Sequence, residues 1–233
     1  MQILTTQEQE NFNKPPLFDH IQRKQFFDFP KKLLDVARSL RNPANQIGFL
    51  LLCGYFRAAK RFFLPQDFHE RDIAVVTNIL NCPALEFITD DYKKVSRIRH
   101  QQIITEHYGF QAFNKTARAM IKNEIDSMSS YYLKPRLIFD RCSDILIQKH
   151  ITLPESGTIC GLIRQSLQSH KQALMLRMSN QLTPETSVLL DSLFTRDHEA
   201  ESYRLTLLKR LSQSTKPTKV RECVADFSFI ASL

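Results

Sequence analysis

Apolar residues recur at helical spacing along most of the chain, in segments that are separated by polar caps and prolines. Thr5 followed by Glu8 has the capping-box pattern that begins a helix, and Asp19 is a second candidate cap. Asn42-Pro43 is a third start signal, because Asn suits the N-cap and Pro the first helical position. We therefore predict an all-α protein of tandem small helical bundles with helix-turn-helix-like units.

One predicted helix is apolar on nearly every side. The run 47–56 contains almost no polar residue, which predicts a helix buried at the centre of a domain. Gly48 and Gly54 on this helix are expected to allow close approach of a neighbouring helix. Phe62 and Phe63 follow it, and we expect them to anchor the core rather than to stack on bases.

Prolines and polar stretches suggest where the chain divides. We predict a first helical DNA-binding unit over 1–82 and a second over 83–152. A helical linker or third unit is expected over 153–211, with a helix over 203–211. Over 212–233 we expect a linker and the start of a following segment that is truncated.

A helix capped by Asp90 or Asp91 is predicted to run to Tyr108 and to end at Gly109. At 100° per residue, one arc of this helix is apolar and is expected to face the core. Its members are Tyr92, Val95, Ile98 and Ile103. The opposite arc, which we expect to be exposed, contains Lys93, Arg97, His100 and Gln101, with Lys94 beside them. Arg99 lies within the apolar arc, where it would snorkel, pair with a buried acid or reach a partner unit.

The chain of 233 residues has a formal charge of +8 and a pI of about 9.3. This sign suits nucleic acid first and an anionic membrane surface second, although a solvated basic surface without such a partner is the alternative. Two stretches, 36–66 and 92–105, contain several cations and no acid. Lys134 and Arg136, at a predicted helix start, form a third and weaker cluster.

Sequence signals for catalysis are missing. There is no G-x-x-x-x-G-K-[ST] loop and no recognisable Ser/His/Asp set. His100 and His107 lie seven residues apart without a convincing set of further ligands, so we expect no metal and no cofactor in this segment. The 5 widely spaced cysteines indicate reduced thiols, and neither a signal peptide nor an apolar run long enough for a bilayer is present. We expect a cytoplasmic protein without a membrane partner.

Two of these stretches resemble a known family. The run 45–57, Asn-Gln-Ile-Gly-Phe-Leu-Leu-Leu-Cys-Gly-Tyr-Phe-Arg, continues with Arg61-Phe-Phe. It is similar to the N-x-x-G-F-x-L-x-L-G-Y-F-R … R-F-F signature of the replicative Tn-three-family transposases. The stretch from Tyr92 through Arg97-Ile-Arg-His to Tyr108-Gly-Phe resembles the next signature of that family. The similarity extends over nearly the whole chain.

The resemblance implies DNA binding without catalysis. In this family the N-terminal region binds the terminal inverted repeats of the transposon, and an Asp/Asp/Glu metal site in a later RNase H-like domain catalyses the reaction. The chain would then be no enzyme but part of a bacterial, nucleoid-associated transposase that binds double-stranded DNA and self-associates through the full-length protein. The residues expected to contact DNA are Arg57, Lys60, Arg61, Arg71, Lys93, Lys94, Arg97, Arg99, His100, Gln101, Lys115, Arg118, Lys134 and Arg136. The alternative is a protein-interaction module for dimerisation or regulation of the transposase.

Overall fold

The computed structural model describes residues 2–82, 87–131, 134–197 and 202–203. Within them the helices are α1 (Thr6–Asn13), α2 (His20–Phe26), α3 (Lys31–Ser39), α4 (Pro43–Ala59), α5 (Glu70–Leu80), α6 (Lys94–Tyr108), α7 (Lys115–Ser129), α8 (Pro135–Gln148), α9 (Ser156–Gln181) and α10 (Pro184–Ser192). Two-residue strands, β1 (Arg196–Asp197) and β2 (Ser202–Tyr203), pair in antiparallel register. The predicted all-α class is confirmed.

The predicted side-chain caps begin their helices as expected. Thr5 accepts a hydrogen bond from the Glu8 amide at 3.2 Å, and the Glu8 carboxylate accepts one from the Thr5 amide at 2.7 Å. Asp19 and Asn42 cap α2 and α4 in the same way, each accepting from an amide of the first turn. Gly109 ends α6 at φ +69°, in the left-handed conformation that glycine adopts without strain.

The start of α6 differs from the prediction. Residues Thr89–Asp91 form a short 3-10 helix, and α6 begins only at Lys94, with Lys93 at its N-cap. Tyr92 explains the delay, because its ring is buried and its hydroxyl hydrogen-bonds the Nδ1 atom of His100 at 2.8 Å. The backbone at Tyr92 leaves the helical path to make this contact.

The helix predicted over 203–211 is wrong at its first residue, because Tyr203 lies in β2. The rest of that prediction, and the linker predicted from residue 212 onwards, lie outside the described residues.

The chain divides into two compact units, Met1–His170 and Lys171–Leu233. The first unit contains two groups of buried apolar side chains. We call the first the aromatic cluster. It consists of Phe18, Phe27, Phe29, Leu33, Ala37, Ile47, Phe49, Leu50, Leu51, Leu52, Cys53, Tyr55, Phe56, Phe63, Phe68, Val76, Tyr92 and Ile104. We call the second the aliphatic cluster. It consists of Ile3, Leu4, Ala117, Ile121, Ile125, Ile138, Phe139, Cys142, Ile145, Leu146, Ile151, Ile159, Cys160, Leu162 and Ile163.

Helix α4 forms the centre of the aromatic cluster, as its apolar pattern predicts. Its residues 47–56 are all buried, and α3, α5 and α6 pack against it. The two glycines admit aromatic rings at very short range. A Cβ atom on Gly48 would lie 2.5 Å from the Tyr92 ring, and one on Gly54 would lie 2.4 Å from the Phe27 ring. The close approach is therefore made by side chains that lie outside regular helices.

The aliphatic cluster joins helices from distant parts of the chain. Helices α7 and α8 supply its middle. Ile3 and Leu4 before α1, the partly buried Phe12 of α1 and the first part of α9 pack onto them. Helix α1 belongs to the predicted first segment and α9 to the predicted third, whereas α6 of the second segment packs on α4. The segment boundaries at residues 82 and 152 stay predictions.

Candidate nucleic-acid interface

Helix α6 is rotated relative to the orientation that its apolar arc predicts. His100, expected on the exposed face, is 3% exposed, whereas Val95 is 81% and Ile98 is 55% exposed. The expectation that Val95 and Ile98 face the core is therefore wrong, and so is the expected exposure of His100. Arg99, expected among apolar side chains, is exposed.

The inward position of His100 has a specific cause. Its Nδ1 atom is hydrogen-bonded to the Tyr92 hydroxyl, and its ring meets the Phe49 ring edge-on at 5.3 Å between centroids. Ile104, one turn further along, is fully buried in the same direction. A polar side chain with a hydrogen-bond partner is buried at little cost. Two apolar side chains are therefore left on the other side of the helix.

Burial lowers the pKa of the His100 imidazole to about 4, and the neighbouring Arg99 guanidinium lowers it further. His100 is therefore neutral at neutral pH. Its role in this structure is to hold α6 against α4 through Tyr92 and Phe49.

The solvent side of α6 carries a compact group of exposed side chains. We call it the α6 outer face and define it as Lys94, Val95, Ile98, Arg99 and Gln102. Their spacing puts them on one side of the helix over two turns. Within the described part of the chain no carboxylate lies within ion-pair distance of either cation.

Other predicted residues flank this face. Lys93, at the N-cap, is exposed, and no side chain caps the free amides of the first turn. Arg97 and Gln101 are half-buried at the edge of the helix. Asp90 and Asp91, just before the helix, are exposed and offset part of the local positive charge.

Two predicted cations at the end of α4 contact the fold. Arg57 donates from Nη1 to the Phe26 carbonyl at 3.0 Å, and also to the Asp28 carbonyl. Lys60 donates from Nζ to the Arg57 carbonyl at 2.7 Å and ends the helix in the left-handed conformation. Burial lowers the pKa of the Lys60 ammonium, and the Arg57 charge adds to that effect. Both side chains are half-buried.

Arg61 is buried, with 4% of its surface exposed. Its Nη1 atom donates to the Phe12 carbonyl at 2.6 Å, and the guanidinium lies 4.8 Å from the centre of the Phe12 ring. Burial lowers its pKa to about 10, against the opposing effect of the Glu155 carboxylate. Arg61 therefore fastens the end of α1, and little of it is left for an external partner.

The remaining predicted residues lie on other helices of the same unit. Those that are exposed and not ion-paired in the described structure are Arg71 on α5, Lys115 and Arg118 on α7, and Lys134 at the N-cap of α8. Arg136 is exposed but forms ion pairs with Asp140, at 3.0 Å, and with Glu8. The hydrogen bond to Asp140 is the main cause that raises the pKa of Arg136.

A cleft of about 630 Å³ lies between α3 and α6 and opens beside the α6 outer face. We call it the α3–α6 cleft. Its lining residues are Val36, Ser39, Leu40, Arg41, Asn45, Ser96, Arg99, His100 and Ile103. Arg41 was not among the predicted contacts, although it lies in an acid-free stretch. Only the packing of helices far apart in sequence brings Arg41 to the same cleft as Arg99.

Over the described ranges, no group of three or more His, Cys, Asp or Glu side chains is placed to hold a metal ion. None of the helices described there combines the length and apolarity that crossing a membrane requires. Cys53, Cys142 and Cys160 are buried free thiols, and burial raises the pKa of each.

Residues 3–166 match the family described as a domain of unknown function, DUF4158. The match covers most of the chain, and the protein belongs to this family. It extends from the segment before α1 into α9, and so includes both clusters and α6. A search among curated proteins finds no match.

Proposed function

We propose that this chain binds the terminal inverted-repeat DNA of a transposon as the non-catalytic N-terminal part of a replicative transposase. The observation that carries the proposal is the α6 outer face. It combines the exposed cations Lys94 and Arg99 with the exposed apolar side chains Val95 and Ile98, on one side of one helix.

The residue types of this face match the groups that a DNA major groove presents. Arg and Lys pair with guanine or phosphate, and Gln pairs with adenine. The C5 methyl group of thymine is apolar and contacts apolar side chains such as Val95 and Ile98. An α-helix fits the width of the major groove. The exposure of these two residues, which a core-facing arc does not explain, supports base readout.

The way in which α6 is held also supports recognition. Its inner side is fixed by the Tyr92–His100 hydrogen bond and by the burial of Ile104. A recognition surface gains specificity when its supporting side chains have few alternative positions. The α6 outer face is supported in this way by the fixed inner side of the helix.

The choice of transposon ends as the ligand rests on the resemblance of residues 45–63 and 92–110 to the Tn-three-family transposases. The positive charge of the chain agrees with a DNA partner. In that family catalysis belongs to a later domain, so the proposed role is recognition of DNA ends and not cleavage.

The first experiment is selection of bound duplexes from a random-sequence library, followed by fluorescence anisotropy on the enriched sequence and on a scrambled copy. We expect one enriched motif that agrees with the inverted repeats bordering the gene. Preference for this motif should persist as salt rises, because base contacts add to the salt-dependent phosphate contacts. Failure to enrich any motif would contradict sequence-specific binding.

Two substitutions test the α6 outer face directly. Arg99→Ala should weaken binding to the enriched duplex by roughly 1–3 kcal/mol if it reads a base, and should change binding to the scrambled copy less. Arg141→Ala is the matched control, since it removes the same charge from an exposed position on α8. Equal losses for Arg99→Ala on both duplexes would mean that Arg99 contacts phosphate only.

Replacement of thymine by uracil tests the apolar contact. Uracil lacks the methyl group, so at the contacted position it should weaken binding of the unmodified chain but not of Ile98→Ala. If the uracil replacement and Ile98→Ala weaken binding additively at every thymine, a contact between Ile98 and a thymine methyl group is excluded.

A further inference from the structure

We propose that the α3–α6 cleft is an anion site that holds one backbone phosphodiester of the DNA contacted by α6. The inference rests on the proposed function and adds a second point of contact, formed by Arg41 in the connection between α3 and α4 and by Asn45 at the start of α4. It assigns a binding role to Arg41 and Asn45, which the sequence does not indicate.

The charge of the cleft favours an anion. Its lining residues include Arg41, Arg99 and Ser96, and no Asp or Glu. Within the described residues neither arginine has an ion-pair partner. Guanidinium groups offer several N–H donors in a fixed plane, which suits the oxygens of a phosphate.

The amide of Asn45 is an independent observation at the same place. Its Oδ1 atom is buried and has no hydrogen-bond partner among the described residues. A buried polar atom without a partner is costly. The Nδ2 amino group of the same amide is not among the buried atoms without a partner, and Asn45 lines the cleft. An amide amino group is a hydrogen-bond donor, so it can donate to a phosphate oxygen in the cleft.

The position of the cleft fits a single duplex. Arg99 belongs both to the lining of the cleft and to the α6 outer face. In a duplex the phosphates border the groove in which the base edges lie. A helix that reads bases through its outer face therefore has a DNA backbone beside it. Arg41, which lines the same cleft as Arg99 and lies outside α6, is placed for that backbone.

A free phosphate has the same chemistry as the backbone group, so the two sources must be separated. A phosphodiester is part of the duplex, so its contact with the cleft contributes to the affinity of the protein for the duplex. If free phosphate is the ligand, it occupies the cleft without DNA, and the affinity for the duplex does not depend on Arg41.

The experiment measures how the affinity for the enriched duplex depends on salt, between about 50 and 200 mM, by fluorescence anisotropy. Loss of one phosphate contact lowers the slope of log K against log salt by about 0.9. We expect this change for Arg41→Ala, and an affinity loss for Asn45→Asp that is larger than the loss for Asn45→Ala. Arg141→Ala should leave the slope unchanged. Thermal unfolding of each variant establishes that it is folded.

A second measurement locates the contacted phosphate. Duplexes in which one phosphate at a time is replaced by a neutral methylphosphonate should show a position that weakens binding of the unmodified chain. At that position the replacement should have no further effect on Arg41→Ala, because the contact is already lost.

The outcomes separate the two proposals. In one outcome the duplex binds, but Arg41→Ala leaves the slope of log K against log salt unchanged, and its effect on affinity adds to that of each methylphosphonate. The cleft assignment is then wrong and the proposed function stands. If no duplex binds, both proposals fail. If millimolar inorganic phosphate binds the unmodified chain but not Arg41→Ala, while Arg41→Ala leaves the affinity for the duplex and its salt dependence unchanged, the cleft binds free phosphate and the phosphodiester assignment is overturned.

Discussion

The aromatic and the aliphatic cluster lie in the same compact unit but differ in the contacts that hold their helices. Half of the buried side chains of the first, nine of 18, are aromatic. Eight of the 15 in the second are isoleucine, and one is aromatic. Aromatic rings have preferred mutual orientations, whereas branched aliphatic side chains interact with little directional preference.

The arginine–aspartate pairs of the two regions also differ in burial. In the aromatic cluster, Asp72 is fully buried and accepts from Arg23 Nε at 2.6 Å and from the Tyr55 hydroxyl at 2.8 Å. The aliphatic side of the unit has an exposed counterpart, the pair of Arg136 and Asp140. Directional contacts fix the rotation of a helix as well as its distance. Helix α6, which carries the proposed interface, is held by two directional contacts, the hydrogen bond between Tyr92 and His100 and the edge-on contact between the His100 and Phe49 rings.

The largest expected effect compares the two arginine–aspartate pairs. Asp72→Ala should lower the free energy of unfolding by about 3–5 kcal/mol, because it leaves Arg23 with an uncompensated charge that is largely buried. Asp140→Ala, in the exposed pair, should cost about 0–1 kcal/mol. Urea unfolding monitored by circular dichroism measures both values. Similar losses for the two variants would show that burial is not the deciding difference.

Alanine substitutions at two glycines are expected to change the stability of the protein in opposite directions. Gly48→Ala should destabilise the protein by about 1–3 kcal/mol, because the new methyl group overlaps the Tyr92 ring. Gly161→Ala, inside α9, meets nothing within 4 Å and should stabilise by about 0.5–1 kcal/mol through helix propensity. Thermal unfolding of both variants measures the difference. A stabilising Gly48→Ala would mean that Tyr92 moves aside freely.

The buried imidazole predicts a dependence of stability on pH. His100 has a folded pKa of about 4 and an ordinary value near 6.5 in the unfolded chain, so between these pH values only the unfolded chain binds the proton. The contribution of the neutral, buried His100 to the free energy of unfolding is therefore complete above pH 6.5. It decreases as the pH falls toward about 4, by at most about 1.4 kcal/mol per pH unit.

Unfolding experiments across this range should show a smaller slope for His100→Gln than for the unmodified chain. Gln keeps a hydrogen-bonding group near Tyr92 but does not titrate. Equal slopes would show that His100 is not responsible for the pH dependence.

A small effect is also expected for a conservative substitution in the aliphatic cluster. Ile121→Val removes one methylene group from a fully buried site and should cost about 0.5–1.5 kcal/mol. DNA affinity should not change, because the substitution leaves the aromatic cluster and α6 untouched. Parallel unfolding and anisotropy measurements check this. A matching loss of affinity would mean that the two clusters are coupled.

Local signals in the sequence determined much of the secondary structure. The caps at Thr5, Asp19 and Asn42 and the end of α6 at Gly109 were predicted correctly. Each depends on hydrogen bonds or backbone preferences within a few residues, and such contacts are visible in the sequence. The uniformly apolar run 47–56 likewise determined that α4 is the buried centre.

The start and rotation of α6 were decided only by the tertiary structure. The periodicity of the segment favoured burial of Val95 and Ile98, but the Tyr92–His100 hydrogen bond and the contact with Phe49 turn the opposite side inward. These contacts join residues whose proximity depends on the packing of α6 on α4. A hydropathy pattern treats His100 as polar and cannot include the partner that allows its burial.

The same distinction applies to the candidate site. The sequence by itself determined the basic composition and the stretches in which the cations lie. The tertiary structure decided that Arg61 is buried against Phe12, that Lys94 and Arg99 are exposed, and that Arg41 joins Arg99 at one cleft. The reason is that exposure and long-range proximity depend on how distant helices pack, whereas charge and helix starts are properties of short segments.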